Sequence, residues 1–325
     1  MTARLVVCLL ALAASTTVQA DEQLTNNRHK DSAPVISPDG TTLLFLSEQI
    51  NCDISRLDLS TGEISLLTDD PAREDHVRFA PDGSRVAYLV TTGLDTHVVV
   101  HPLPDGPPRD LGPGDDLEWS PEGRWLASRD DRGIFLLDPD TGERDEIAAA
   151  TPGEPGSIHW RRTGEELLYL HEGDIWGVSI QDRVQRKLFS SKVEDERANF
   201  RGFAIAPNGE HIVAVLDLSR LSLKSEDEGL LLRADSDERV RLGPMHSPIW
   251  RDSDTLIFSR GGSIHQMSLG GEATHVAGSD NSADEPALTP DGEWLYFSAR
   301  QPERRTSGGL IPPKYSEIYR DRLTD

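Results

Sequence analysis

The sequence predicts an all-β protein, a seven-bladed β-propeller built from four-stranded antiparallel blades. The first observation is a recurring Pro-Asp-Gly turn, in which Glu or Asn sometimes replaces Asp. Its five full copies end at Gly40, Gly83, Gly123, Gly209 and Gly292. They are 43, 40, 86 and 83 residues apart, and each long interval contains a degenerate copy, at 161–164 and 251–254. Seven units of about 40 residues with short alternating apolar stretches are typical of propeller blades.

The first unit shows the four strands of one blade. An inner strand at 33–36 precedes the Pro-Asp-Gly turn, and a second strand at 42–47 follows it. The alternating stretch 54–59 predicts the third strand, and 64–68, after a Thr-Gly turn, predicts the outer strand. Equivalent third strands are predicted at 96–103, 133–138, 174–180, 229–234 and 263–269.

The seventh unit lacks a fourth strand of its own, because the sequence ends just after the third strand at 316–323. The segment 23–25 has the Leu-Thr ending that other outer strands have at Leu67-Thr68. We therefore expect this N-terminal segment to complete the last blade and close the ring, which removes open sheet edges. Deletion of residues 21–25 should then destabilise that blade.

Residues 1–20 have the features of a signal peptide. Arg4 gives a positive start, 5–14 is apolar, and 18–20 ends in the small-residue pattern at which such leaders are cleaved. Acylation of Cys8 is the alternative, but this cysteine lies inside the apolar stretch and not after it. We expect a mature chain, 21–325, that is a single propeller domain exported to a bacterial periplasm. No other apolar stretch reaches the roughly 20 residues of a membrane span.

The charge and the cysteines limit the classes of partner and of chemistry. A formal charge of −23 predicts a soluble monomer that binds neither nucleic acid nor anionic lipid, since phosphates are repelled by an acidic surface. Cys8 leaves with the leader, so Cys52 has no partner for an intrachain disulfide. Because no activating residue lies near Cys52 in the sequence, we interpret it as a small core residue.

The repeated turns resemble those of TolB-type periplasmic propellers. The resemblance rests on the Pro-Asp-Gly turns, on Asp-x-x-Thr-Gly turns such as 138–142, and on the Leu-Thr strand ends, and it covers residues 23–325. Related blades occur in the propeller domains of prolyl-oligopeptidase-like enzymes. For TolB itself the resemblance implies binding of envelope lipoproteins. This chain departs from TolB, which has six blades and an N-terminal α/β domain.

Contiguous catalytic motifs are absent from the sequence. It contains no Gly-x-Ser-x-Gly elbow, no His-Glu-x-x-His, no phosphate-binding glycine loop and no Cys-x-x-Cys pair. The stretch 138–142 resembles the start of a calcium loop but lacks the later acidic ligands, so we interpret it as a turn.

Strand alternation predicts which side chains face the central channel. The apolar residue before each turn should pack between blades, and these residues are Ile36, Phe79, Trp119, Trp160, Ile205, Trp250 and Leu288. The residue before each of them then points into the channel. Arg78, Glu118 and His159 are the polar members of that set and come from consecutive blades, so we expect them to form one hydrogen-bonded cluster.

Further polar side chains are expected around the mouth of the channel. The mouth positions are Ala33, His76, Asp116, Ser157, Gly202, Ser247 and Glu285, with Asp75, Asp115, Arg201, His246 and Asp284 beside them. A water-filled channel, a small-ligand site and a metal site all fit this pattern. No cofactor is predicted, with a metal ion at the mouth as the alternative. The residues assigned to binding are Asp75, His76, Arg78, Asp116, Glu118, His159, Arg201, His246 and Glu285.

Two long loops, 217–228 and 300–315, join second to third strands and should share the face of the mouth. Insertions confined to one face of a repeat array often mark the binding face, and a mobile insertion without function is the alternative. The second loop is basic and is predicted to contact an acidic partner through Arg300, Arg304, Arg305 and Tyr315.

Two hypotheses of function follow. The leading one is a non-catalytic exported propeller that binds a protein or a cell-envelope component through the mouth face. The alternative is a propeller enzyme, a lyase or a hydrolase, whose reaction is carried by histidines and carboxylates at the mouth, with or without a metal. The residues named for that alternative are His76, Asp116, His159, His246 and Glu285.

Overall fold

A computed structural model gives the structure of most of the chain after the leader. It describes residues 21–27, 29–48, 51–104, 106–149, 157–193, 198–218, 227–234, 236, 238–278, 282–300 and 315–323, with the backbone of 304–306 and 309–311. In these residues no helix is long and apolar enough to cross a membrane.

Seven four-stranded antiparallel sheets form the seven blades, which confirms the predicted fold. Blade 1 consists of Asp31–Ile36, Thr42–Ser47, Asp53–Asp58 and Ile64–Leu66. Blade 2 consists of Arg73–Phe79, Arg85–Thr92, Asp95–Pro102 and Arg109–Pro113. Blade 3 consists of Asp116–Trp119, Leu126–Arg129, Gly133–Leu137 and Arg144–Ala149. Blade 4 consists of Ile158–Trp160, Glu166–His171, Asp174–Ser179 and Gln185–Phe189, followed by the 3-10 helix Ser191–Val193.

The remaining three blades complete the ring. Blade 5 consists of Asn199–Ile205, His211–Asp217, Glu228–Arg233 and Arg239–Pro244. Blade 6 consists of His246–Trp250, Thr255–Arg260, Ser263–Ser268 and Thr274–Ala277. Blade 7 consists of Asp284–Leu288, Trp294–Arg300, Ser316–Arg322 and Glu22–Gln23, and a short hairpin between its second and third strands pairs Arg304–Thr306 with Gly309–Ile311.

Six of the seven recurring turns share one backbone conformation. The glycine that ends each of the five full copies, and Gly164 in a degenerate copy, has a φ between 69° and 74°, which a residue with a side chain adopts at a cost. In the other degenerate copy Asp254 replaces the glycine, and its N–H donates to Asp252 Oδ1 at 2.8 Å. This turn is one residue shorter than the others, because the N–H of Arg251 donates to the carbonyl of Thr255, four residues on, whereas that of Ser37 donates to the carbonyl of Thr42, five residues on.

The N-terminal segment is the outer strand of blade 7, as predicted: Glu22 and Gln23 form the ladder, and the N–H groups of Leu24 and Thr25 donate to the carbonyl of Ile318. Thr25 Oγ1 accepts the N–H of Ile318 at 2.9 Å and donates to Glu317 at 2.7 Å. In blade 1, Thr68 Oγ1 likewise accepts the N–H of Ile54 at 2.8 Å and contacts a carboxylate, Glu74, at 3.0 Å. The Leu-Thr ending thus has the same structural role in both blades.

Tryptophan side chains fix neighbouring inner strands to each other. The indole N–H of Trp160 donates to the carbonyl of Glu118 at 3.1 Å, one blade earlier. Trp119 and Trp250 make the equivalent bonds to the carbonyls of Arg78 and Ala204, at 3.2 and 3.1 Å. All seven apolar residues expected between blades belong to hydrophobic clusters that span two blades.

Several inner strands contain a β-bulge at the mouth. In blades 1, 2, 6 and 7 the pairing register shifts by one residue, and the bulge contains a residue with positive φ, from 46° to 55°. These residues are Ala33, His76, Ser247 and Glu285. An extra residue in one strand redirects the side chains beyond it, so simple alternation does not hold across the mouth.

The equivalence of Thr25 and Thr68 gives a test of ring closure. Thr25→Val removes both hydrogen bonds and leaves a buried N–H unsatisfied, so the free energy of unfolding should fall by about 1–3 kcal/mol in chemical denaturation. Thr68→Val is the matched variant and should cost a similar amount. A loss of stability in Thr68→Val but not in Thr25→Val would contradict closure by the N-terminal segment.

Candidate functional site

A cavity of about 410 Å³ opens at the mouth beside blades 4 to 7. The inner strand of blade 5 gives it an apolar wall through Phe203 and Gly202, and the bulged start of blade 6 gives it a polar one. Its lining residues are Ser157, Arg201, Gly202, Phe203, Val215, Asp227, His246, Ser247, Pro248 and Asp284. Six of these ten residues are polar or charged, so the cavity suits a small molecule with polar groups.

Arg201 is held at the cavity by two carboxylates. Its guanidinium lies 2.7 Å from Asp227 and 3.3 Å from Asp217, at the two ends of the long loop 217–228. His246 Nδ1 is 3.7 Å from the same Asp227 carboxylate, which is itself buried. The positive charge of Arg201 is therefore already neutralised within the protein.

A second group of side chains, from blades 3 and 4, adjoins the cavity through Ser157, which is its one member in the cavity lining. His159 Nδ1 lies 2.7 Å from Glu118 Oε2, and His159 Nε2 lies 3.1 Å from the hydroxyl of Ser157. The imidazole packs edge-on against Phe203, with ring centroids 4.8 Å apart. Ser157 lines the cavity, so the order from the cavity inward is hydroxyl, imidazole, carboxylate.

The surroundings of His159 raise its pKa above the usual 6.5. Burial alone would lower this pKa, but the attraction of the Glu118 carboxylate and its hydrogen bond outweigh burial, with Asp116 adding to the effect and Arg78 opposing it. The stability that this pair contributes is fully present below pH 6.5 and is lost as the pH rises through the raised pKa.

Asp116 and Glu285 bind backbone groups of neighbouring blades. Asp116 Oδ2 accepts the N–H of Ile158 at 3.1 Å, which joins blade 3 to blade 4. Glu285 Oε2 accepts the N–H of Ala33 at 2.7 Å and the hydroxyl of Ser298 at 2.9 Å, which joins blade 7 to blade 1. Both carboxylates therefore hold the ring together at the mouth.

Three predicted residues of blade 2 lie outside the cavity. Asp75 Oδ1 accepts the N–H of His76 at 2.8 Å, and the His76 imidazole is exposed. Arg78 donates to the carbonyl of Val77 at 2.9 Å, so of the expected Arg78, Glu118 and His159 cluster the structure joins only the last two directly.

Contact of the loop 300–315 with an acidic partner remains a prediction. Arg300 and Tyr315 are exposed at its two ends. The side chains of Arg304 and Arg305 lie outside the described residues, and only their backbone is seen in the short hairpin.

Sequence reasoning did not assign Ser157, Asp217 and Asp227 to the site. Ser157 was among the mouth positions, and its spacing from His159 by two residues on one strand was the available signal. The two aspartates lie at the ends of the long loop on the mouth face, a position from which an ion pair with Arg201 could have been predicted.

The sequence suggested a metal ion at the mouth as the alternative to a site without a cofactor. Within the described ranges, no group of three or more His, Cys, Asp or Glu side chains is arranged to hold a metal ion. At the cavity the donor pair His246 and Asp227 is shared with the cationic Arg201.

Comparison with known proteins finds similarity in solved structures alone. No protein-family model matches the chain, and no curated protein matches its sequence. An oligogalacturonate lyase from Vibrio parahaemolyticus has a TM-score of 0.66 at 12% identity, over 95% of each chain. An oligogalacturonate lyase in complex with manganese has a TM-score of 0.66 at 15% identity, over 93% of each chain. At these identities the likeness establishes the fold.

The comparison corrects the leading hypothesis from the sequence. The expected non-catalytic binding protein rested on the absence of contiguous catalytic motifs, and both solved structures of the same fold are enzymes. The leading hypothesis is therefore contradicted, and of the two hypotheses its alternative, a propeller enzyme, is the better supported. The physical reason is that a propeller assembles its site from several blades, so the reacting groups need no short motif.

The His159 and Glu118 contact gives a second test. In Glu118→Gln the carboxylate that raises the His159 pKa is gone while burial remains, so this pKa should fall below 6.5. An NMR titration of the imidazole measures it directly. The control is Glu122→Gln, which removes the same charge from the turn of the same blade and should leave the His159 titration unchanged. An unaltered pKa in Glu118→Gln would contradict the assigned contact.

Proposed function

We propose that this chain is an enzyme that cleaves its substrate at the mouth cavity by acid–base chemistry, with His159 as the group that accepts and returns the proton. The observation that carries the proposal is the line from Glu118 through His159 to Ser157 at the cavity wall. A carboxylate at Nδ1 fixes the imidazole tautomer and orientation, which leaves Nε2 for proton transfer.

The electrostatics suit this role. The raised pKa makes the His159 imidazole a stronger base, which favours its acceptance of a proton from the reacting group. The Phe203 ring against the imidazole excludes water from one side, which strengthens the interaction with Glu118.

The charge of the cavity favours hydrolysis of an uncharged substrate. Elimination from a uronate develops negative charge beside the substrate carboxylate, and a cation is needed to stabilise it. Arg201 is the sole Arg or Lys among the described lining residues, and Asp217 and Asp227 already neutralise it. With Asp284 also at the wall and a formal charge of −23 on the chain, a polyanion is repelled.

A lyase is the second candidate. It is favoured by the two oligogalacturonate lyases of the same fold, one of them in complex with manganese. In that case His159 would remove a proton from carbon instead of acting on a hydroxyl. The two candidates differ in their products, since a lyase leaves an unsaturated sugar and a hydrolase does not.

The proposal includes two features that come from the sequence. Export to a periplasm rests on the signal-like residues 1–20. Kinship with the TolB-type repeats rests on the recurring Pro-Asp-Gly and Leu-Thr elements. Neither feature bears on the chemistry of the cavity.

The mature chain, 21–325, is the material for a test of activity. Chromogenic esters and glycosides, together with oligogalacturonate, form the substrate panel. His159→Ala should lower kcat/KM at least about 100-fold on any substrate that is cleaved, because proton transfer is lost.

The matched control is His97→Ala. His97 also lies against a carboxylate, with its Nδ1 2.8 Å from Asp110, but on the outer strands of blade 2, and its loss should leave kcat/KM unchanged. Equal activity of wild type and His159→Ala, or equal losses in the two histidine variants, would overturn the proposed site.

A further inference from the structure

We propose that Ser157 is the nucleophile of this site and that it forms a covalent ester with the substrate. The inference rests on the proposed function and deepens it, because it assigns the reaction to carboxylic esters. Ser157 Oγ is 3.1 Å from His159 Nε2, and His159 Nδ1 is 2.7 Å from Glu118 Oε2. A hydroxyl, an imidazole and a carboxylate in this order form the arrangement that activates serine in hydrolases of unrelated folds.

The backbone holds these three groups in place. Ser157 and His159 are two residues apart at the inner edge of blade 4, so their side chains lie on one face. The carbonyl of Ser157 accepts the N–H of Leu170 at 3.1 Å, which extends the pairing of the strand to the serine. Glu118 comes from blade 3, and the Trp160 indole bonds its carbonyl at 3.1 Å. The nucleophile and its carboxylate thus stand on adjacent, tied strands.

Ser157 differs from the other serine of the cavity. Ser247 also lines the wall, but its hydroxyl donates to the Asp284 carboxylate at 2.9 Å and bonds no imidazole in the described part of the chain. A carboxylate is a much weaker base than an imidazole, so it does not activate a hydroxyl at neutral pH. The two serines share one cavity and differ in the base beside them.

The reaction proceeds in two balanced steps. In the first, Ser157 Oγ bonds to the acyl carbon while its proton passes to His159 Nε2, and the same proton then leaves with the alcohol as the ester C–O bond breaks. In the second, water attacks the acyl carbon and gives a proton to Nε2, which returns it to Ser157 Oγ as the acyl–Oγ bond breaks. The products are one alcohol and one carboxylic acid, and Glu118 stabilises the imidazolium in both steps.

A fluorophosphonate probe tests the nucleophile without knowledge of the substrate. Attack by Oγ forms an O–P bond and releases fluoride, while the proton goes to His159 Nε2. Intact-mass analysis of the mature chain should show one adduct, and peptide mapping should place it on Ser157. His159→Ala should slow labelling at least about 100-fold, since the base is removed.

Ser157→Ala should abolish the adduct, and Ser247→Ala is the matched control that should label at the wild-type rate. Thermal unfolding shows whether each variant is folded, and the mapped wild-type adduct locates the label independently of any variant. No adduct, or an adduct at a residue other than Ser157, would overturn the assignment. If a cleavage activity is lost in His159→Ala and kept in Ser157→Ala, the nucleophile is wrong and the proposed acid–base function stands.

Discussion

The structure depends on hydrogen bonds that side chains of one blade make to the backbone of a neighbouring blade. Trp160 binds the carbonyl of Glu118, Asp116 binds the N–H of Ile158, and Glu285 binds the N–H of Ala33. Each bond joins two inner strands near the channel, where no strand ladder connects the blades. Removal of one partner from a buried bond, such as that of Asp116, costs about 1–3 kcal/mol. The positions of Ser157, His159 and Glu118 follow from these bonds, because the site spans blades 3 and 4.

Much of the fold follows from the sequence because its signals are local. The Pro-Asp-Gly turn requires a glycine of positive φ, and the Leu-Thr ending identified the N-terminal segment as the missing outer strand. The apolar residue before each turn packs between blades because alternation holds in the regular part of the inner strand. Third-strand boundaries agree with the structure to within one residue.

The site could be predicted only in part. Glu118 and His159 occupy equivalent positions on adjacent blades, so alternation brought them together correctly. Arg78 has the same position one blade earlier, yet its long side chain turns back to the carbonyl of Val77. At the mouth, the bulges break the alternation, and the ends of a long loop supply the carboxylates that hold Arg201. The bulges recur at one position of the repeat, but the residues there, Ala33, His76, Ser247 and Glu285, share no side-chain type that would predict them from the sequence.

In a propeller, the side chains of one site come from several blades. Contiguous motifs mark sites in folds where one turn carries the nucleophile, whereas here the three groups of the proposed site come from two strands on separate blades. The fold shared with two lyases does not fix the reaction, because the residues at the cavity decide it. The charge at the cavity and the hydroxyl beside His159 are the features that favour hydrolysis over elimination.

The most direct test of this account is the mass of the products formed in heavy-oxygen water. A hydrolase incorporates one solvent oxygen into one product, and the account predicts such incorporation into the carboxylic acid released from an ester. Cleavage without any solvent oxygen, accompanied by an unsaturated product, would show elimination and contradict the account.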